Sequence, residues 1–141
     1  MEEKELLELF TDMTRIHTAY VERRLIPLGL RTGQGAIISA LGEHGPCTQK
    51  ELAEYRHVSA ATISVMLRRM ENGGLIVRSQ SEDSKGNQIA LTEKGRKAYA
   101  ALNQDMIGEP ERVFEGLSSE DKQAAERNFR RVSKNLAKIR G

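Results

Sequence analysis

Ala60, Ala61, Ser64, Val65 and Arg68 stand at positions i, i+1, i+4, i+5 and i+8 of one short amphipathic stretch. On a helix those spacings gather all five on one face. The face carries no acid, its first four side chains are small, and Arg69 doubles the charge at its end. Small residues let a helix sit deep against a concave surface. A serine hydroxyl can donate to or accept from either base type, Ala or Val can touch a thymine methyl, and arginine can pair with guanine or a phosphate. The chemistry such a face can do is therefore recognition of a major groove without bond making. Taken alone the same face also fits a solvated helix.

Two further groups favour recognition. The backbone N–H groups at Thr48, Gln49 and Lys50, and again at Ser59, Ala60 and Ala61, open predicted helices and form positive ends suited to phosphates. Gln49 and Lys50 add side-chain donors, while Thr48 and Ser59 also serve as caps. A polar loop holding Lys85, Gly86 and Asn87 lies between two short apolar runs and has no evident core role. It can set Lys85 against phosphates or into a minor groove, where negative potential attracts cations. Asp83 would orient that lysine or cap the turn.

Chemistry of other kinds finds little to stand on. No nucleophile–base pair, phosphate loop or metal-ligand spacing occurs, so the chain is expected not to be an enzyme and to need no metal or other cofactor. His17, His44 and His57 are far apart. Cys47, the single cysteine, excludes an internal disulfide framework and suits a reducing cytoplasm. It precedes a helix start, whose dipole would lower a thiol pKa, but a small half-buried residue is the expected role.

The elements that must position these groups follow from periodicity. Leu6, Leu9, Phe10, Met13, Ile16 and Tyr20 repeat at three- and four-residue intervals, predicting a long first helix that stops near Pro27 and Gly29. Thr32 is expected to cap a second helix with Ala36, Ile37, Ala40 and Leu41 inward. Thr48 with Glu51 is a capping-box pattern opening a third, with Leu52, Ala53 and Tyr55 facing inward. A fourth runs from Ser59, buries Ile63, Met66, Leu67 and Met70, and stops at Asn72, Gly73 and Gly74. Strands are predicted over 75–77 and 89–91, joined by the polar loop. A fifth helix from Thr92 carries Ala98, Leu102 and Met106, with a kink or break at Gly108 and Pro110. Ser118 and Asp121 open the last, striped by Ala125, Phe129, Val132, Leu136 and Ile139.

With 141 residues, 30% charged and only 4% aromatic, the chain fits one helix-rich domain with an aliphatic core. No apolar run reaches membrane-spanning length, and a cytoplasmic protein is expected. The net charge of +2 says little, but its distribution is uneven. Glu2, Glu3, Glu5, Glu8 and Asp12 crowd one end; Arg127, Arg130, Arg131, Lys134, Lys138 and Arg140 crowd the other. These blocks can meet within one chain or between two, or stand as separate solvated faces.

The stretches TQKELAEYRHVSAATISVMLRRMENGGLI, DSKGNQIALTEKG and GLSSED, in that order, resemble the MarR/SlyA family of winged helix-turn-helix regulators, and the similarity runs over nearly the whole chain. The resemblance implies a mainly α fold with a small β-hairpin wing. Residues 30–95 would form the winged helix-turn-helix, and 1–29 with 96–141 a helical dimerisation region, all within a single domain over 1–141. It further implies a homodimer joined through its first, fifth and sixth helices, a pseudo-palindromic double-stranded DNA operator, and release by a small lipophilic or phenolic effector. The family's effector cleft would fall near Met13, His17 and Tyr20, with Ile37 and Ala40 behind; all five fit a core equally well. The alternative is a winged-helix module that binds DNA or protein without sensing a ligand. Three departures stand out. Lys85 replaces the common wing arginine, Ser64-Val65 replaces Thr-Arg, and Arg56 and His57 occupy a turn where an apolar residue and glycine are frequent. Peroxide-sensing relatives carry a reactive cysteine in the first helix, which has none here.

Overall fold

The spacing from Leu6 to Tyr20 becomes α1 (Glu3–Leu25) in the computed structural model, which describes residues 1–80 and 87–140. Pro27 cannot continue the helix, so the chain tightens into a 3-10 turn, Ile26–Leu28, and leaves it through Gly29 at a left-handed φ of 71°. α2 (Thr32–His44) is capped by Arg31 rather than by the expected Thr32, because Gln34 Oε1 reaches back to accept the Arg31 N–H at 3.1 Å. After β1 (Cys47–Thr48) come α3 (Gln49–Arg56) and α4 (Ala60–Asn72), then β2 (Ile76–Gln80), β3 (Asn87–Leu91) and α5 (Glu93–Asp105).

The sheet is antiparallel in the order β1-β3-β2. β1 is an addition to the two strands expected. It pairs Cys47 with Ile89 and Thr48 with Gln88, and two residues are too few to show a periodicity. The hairpin is also longer than its apolar residues suggested, since pairing continues to Gln80 and Asn87. Backbone ladder bonds need no apolar side chain.

Ile37, Ile38 and Leu41 of α2 meet Leu52 of α3, then Ile63, Leu67 and Met70 of α4, with Ile76, Ile89 and Leu102 completing the core. Each such side chain withdrawn from water contributes about 1.5–3 kcal/mol. Tyr55, expected inward, lies 49% exposed, and Met66 is half-buried. One helical turn separates Leu52 from Tyr55, and the core takes only the narrower stripe.

These elements form one compact unit, Met1–Asp105; the other is Met106–Gly141. In the second, Gly108 at φ 79° starts a short α6 (Glu109–Val113), so the expected break is a break with an extra helix beyond it. Met106 therefore falls outside α5 and is exposed. α7 (Ser119–Arg140) is capped reciprocally, Asp121 N–H donating to Ser118 Oγ and Ser118 N–H to Asp121 Oδ2, each at 3.0 Å. Among the described residues no helix is long and apolar enough to cross a membrane.

Candidate nucleic-acid interface

The capping box of α3 forms as its residue types require. Glu51 N–H donates to Thr48 Oγ1 and Thr48 N–H to Glu51 Oε1, both at 3.1 Å. The Thr48 backbone N–H, and after it the Thr48 side chain, hold the Glu51 carboxyl below its ordinary value. Glu51 thereby occupies the Thr48 N–H, leaving the Gln49 and Lys50 N–H groups and the exposed Lys50 side chain as the donors of that helix end.

Between α3 and α4 the chain turns on His57, at φ 55° and ψ 44°, the left-handed geometry that a histidine tolerates. Ser59 then caps α4, accepting the Thr62 N–H at 3.1 Å. Ala60, Ala61, Val65, Arg68 and Arg69 are exposed as expected, while Ser64 is half-buried at the margin of the face. The inner side of α4 is fixed closely. A β-carbon on Gly33 would lie 2.4 Å from the Met66 methyl, so a side chain there would have to turn the end of Met66 aside.

The corner behind this unit explains the LTEKG segment. Thr92 Oγ1 accepts the Gly95 N–H at 3.0 Å and donates to the Gly74 carbonyl, while Lys94 Nζ donates to the Gly73 carbonyl at 2.8 Å. Both glycines that end α4 are thus tied to the start of α5. Of the loop residues, Lys85 and Gly86 lie outside the described residues; Asn87 begins β3 by its backbone.

Arg78 joins the site through contacts that no local pattern of residues marks. Its guanidinium donates from Nη1 to Gln49 Oε1 at 2.9 Å and stands 3.5 Å from Glu71 Oε1. Strand alternation turns Arg78 to the same side as buried Ile76, opposite exposed Val77, but β2 runs past the apolar residues 75–77 that mark a strand in the sequence.

The proposed effector residues divide. Met13, His17 and Tyr20 are exposed on α1, with the Arg24 guanidinium 4.8 Å from the Tyr20 ring centre. Ile37 and Ala40 are closed in the core. Cys47 is half-buried, its thiol donating to the Gly45 carbonyl at 3.3 Å. Burial pushes its pKa up, and the Glu51 carboxylate adds to the effect, in line with the small half-buried residue expected there. Among the described residues no three His, Cys, Asp or Glu side chains gather as a metal site.

Residues 30–85 match the model of the MarR family. The chain is 30% identical to the HTH-type transcriptional regulator YwoH of Bacillus subtilis over 90% of its own length and 93% of the relative's. It is 32% identical to the organic hydroperoxide resistance transcriptional regulator of the same organism, over 84% and 78% of the two chains. Among solved structures it is similar to MepR of S. aureus in complex with DNA, at a TM-score of 0.83, 22% identity, and 91% and 94% coverage. A MarR family regulator from Listeria monocytogenes complexed with 26mer DNA gives 0.82, 20%, and 99% and 92%. With the winged helix-turn-helix assembled as described, the chain belongs to the MarR family of DNA-binding transcriptional regulators and is not an enzyme.

Proposed function

We propose that the protein is a homodimeric cytoplasmic repressor that binds a pseudo-palindromic operator and leaves it when a small lipophilic or phenolic effector binds. The observation that carries this reading is the outer face of α4, free of acids, small at Ala60, Ala61 and Val65, and ending in exposed Arg68 and Arg69. Thr48, Gln49 and Lys50, the Ser59 cap, half-buried Ser64, and Lys85, Gly86 and Asn87 of the hairpin would flank it as base or phosphate contacts.

The dimer is supported by apolar surface left uncovered in one chain. Leu6, Leu9, Phe10, Met13 and Ile16 on α1 and Phe129, Val132, Leu136 and Ile139 on α7 are all exposed. A groove of about 670 Å³ along Pro110, Phe114, Leu117, Ala125 and Phe129 adds to it. Stripes of this extent mark protein contacts. Effector release would use Met13, His17 and Tyr20 with Ile37 and Ala40. One observation favours a second reading, a winged-helix module without ligand sensing: Ile37 and Ala40 are already sealed against the core.

The test is a fluorescence-anisotropy titration against promoter-proximal duplex, with sedimentation to count chains and a phenolic and lipophilic screen for release. One dimer per site, weakened without change of sequence preference by Lys85→Ala and released by a compound, supports the repressor. Binding that no compound releases supports the second reading, and a monomer on DNA overturns the dimer.

A further inference from the structure

Arg78 sits on β2 opposite Ile89 of β3, inward-facing, with its side chain 27% exposed. Among the described residues it meets Gln49 Oε1 at 2.9 Å and Glu71 Oε1 at 3.5 Å, at the start of α3 and in the last turn of α4. One guanidinium therefore joins the hairpin to both helices of the helix-turn-helix. The Glu71 carboxylate is 41% exposed, so this ion pair adds little to stability. What the arrangement fixes is geometry.

The consequence falls on Gln49. Arginine has donors only, so the glutamine atom it meets is the carbonyl oxygen. The amide nitrogen, with both its hydrogens, is left on the other branch, on the same first turn of α3 whose Gln49 and Lys50 N–H groups have no helical acceptor and whose Lys50 side chain is exposed. That set is all donors and fits an anionic oxygen of the DNA backbone. An amide free to turn over would present its own oxygen to the phosphate for part of the time. We propose that Arg78 is a positioning residue for DNA binding: it holds Gln49 Oε1 so that the Gln49 amide hydrogens face a DNA phosphate, and it fixes the hairpin to the helix-turn-helix through Glu71. This rests on the reading of α3 and α4 as the DNA-binding surface.

The experiment combines a binding cycle with a spectroscopic readout on the full chain. Gln49→Ala, Arg78→Ala and the double variant are titrated against a duplex that the wild type binds selectively, across a range of salt. Each single change weakens binding about tenfold, as the loss of one charge-assisted hydrogen bond does. The double variant is no weaker than the worse single one. Because Arg78 acts through Gln49 and touches no phosphate itself, the salt slope stays unchanged in Arg78→Ala. Arg78→Lys, a point charge without the fork, does not restore affinity. Effects that multiply, or a slope that falls by about one, overturn the proposal in favour of direct phosphate contact by Arg78. In parallel, the Gln49 side-chain amide signals of the DNA-free protein, assigned by their loss in Gln49→Ala, move to the position of a free amide in Arg78→Ala. Unmoved signals overturn the bracket whatever the binding data. A wild type that binds no duplex selectively rejects the DNA-binding reading instead, and the amide signals still decide the contact.

Discussion

A β-carbon on Gly95 would lie 2.2 Å from the Leu75 carbonyl oxygen, closer than any side chain can stand to backbone. The start of α5 is pressed against the corner where α4 gives way to β2, and Thr92 N–H donates to that same carbonyl at 3.1 Å. The glycine of LTEKG is thus a packing requirement of the hairpin's base. Gly95→Ala must push backbone apart, and a loss of about 1–3 kcal/mol is expected in urea unfolding, as for other overpacked sites. An unchanged midpoint would mean that the corner yields freely.

His57 supplies the one left-handed non-glycine residue among those described, and the α3–α4 turn depends on it. For an L-residue this conformation costs roughly 1–2 kcal/mol, which glycine avoids at some cost in chain entropy. His57→Gly should therefore raise stability by up to about 1 kcal/mol, and His57→Val, β-branched, should lower it by at least as much. Equal stability of the two variants in urea titrations would contradict the strain.

The reciprocal cap of α3 sets two expectations. Thr48→Ala removes the acceptor for the Glu51 N–H and should cost about 1 kcal/mol. Glu51 titrates lower in the folded chain than in the unfolded one, so its contribution is full above the ordinary carboxylate range and fades as pH falls through the folded value. The stability difference between wild type and Glu51→Gln should shrink on acidification from about pH 6 to pH 3. A difference that grows with acidity would reverse the sign and refute the cap.

Cys47 should be a slow nucleophile. Burial and Glu51 disfavour its thiolate, so the thiol form contributes stability below its unfolded pKa and this is lost as pH rises toward the folded value. Iodoacetamide at about pH 8 should label the native protein more slowly than the urea-unfolded chain. Faster labelling of the native state would point to an activated thiol.

How far the sequence foretold this depends on the range of the signal. Periodicity and caps are local, so α1, the Thr48–Glu51 box, the outer face of α4 and the Ser118–Asp121 cap were all visible in the residue order. β1 was not, because two residues carry no period and pair only once β3 has been brought beside them. The Arg78 contacts span 29 residues to Gln49, and nothing local marks such a partner. Thr32 lost its cap to Arg31 because a long Gln34 side chain reached farther than the residue preferences implied. Helical spacing sets Ser64 on the outer side of α4, but its half-burial depends on the width of the packed stripe.

The central claim is that α4 reads base sequence, and selection of bound duplexes from a random DNA library at near-physiological salt tests it most directly. The selected duplexes should converge on two inverted half-sites about one helical turn apart, with Arg68→Ala changing preference within a half-site as well as affinity. A library that stays random after repeated rounds, or an Arg68→Ala protein that selects the identical motif at equal strength, would contradict it.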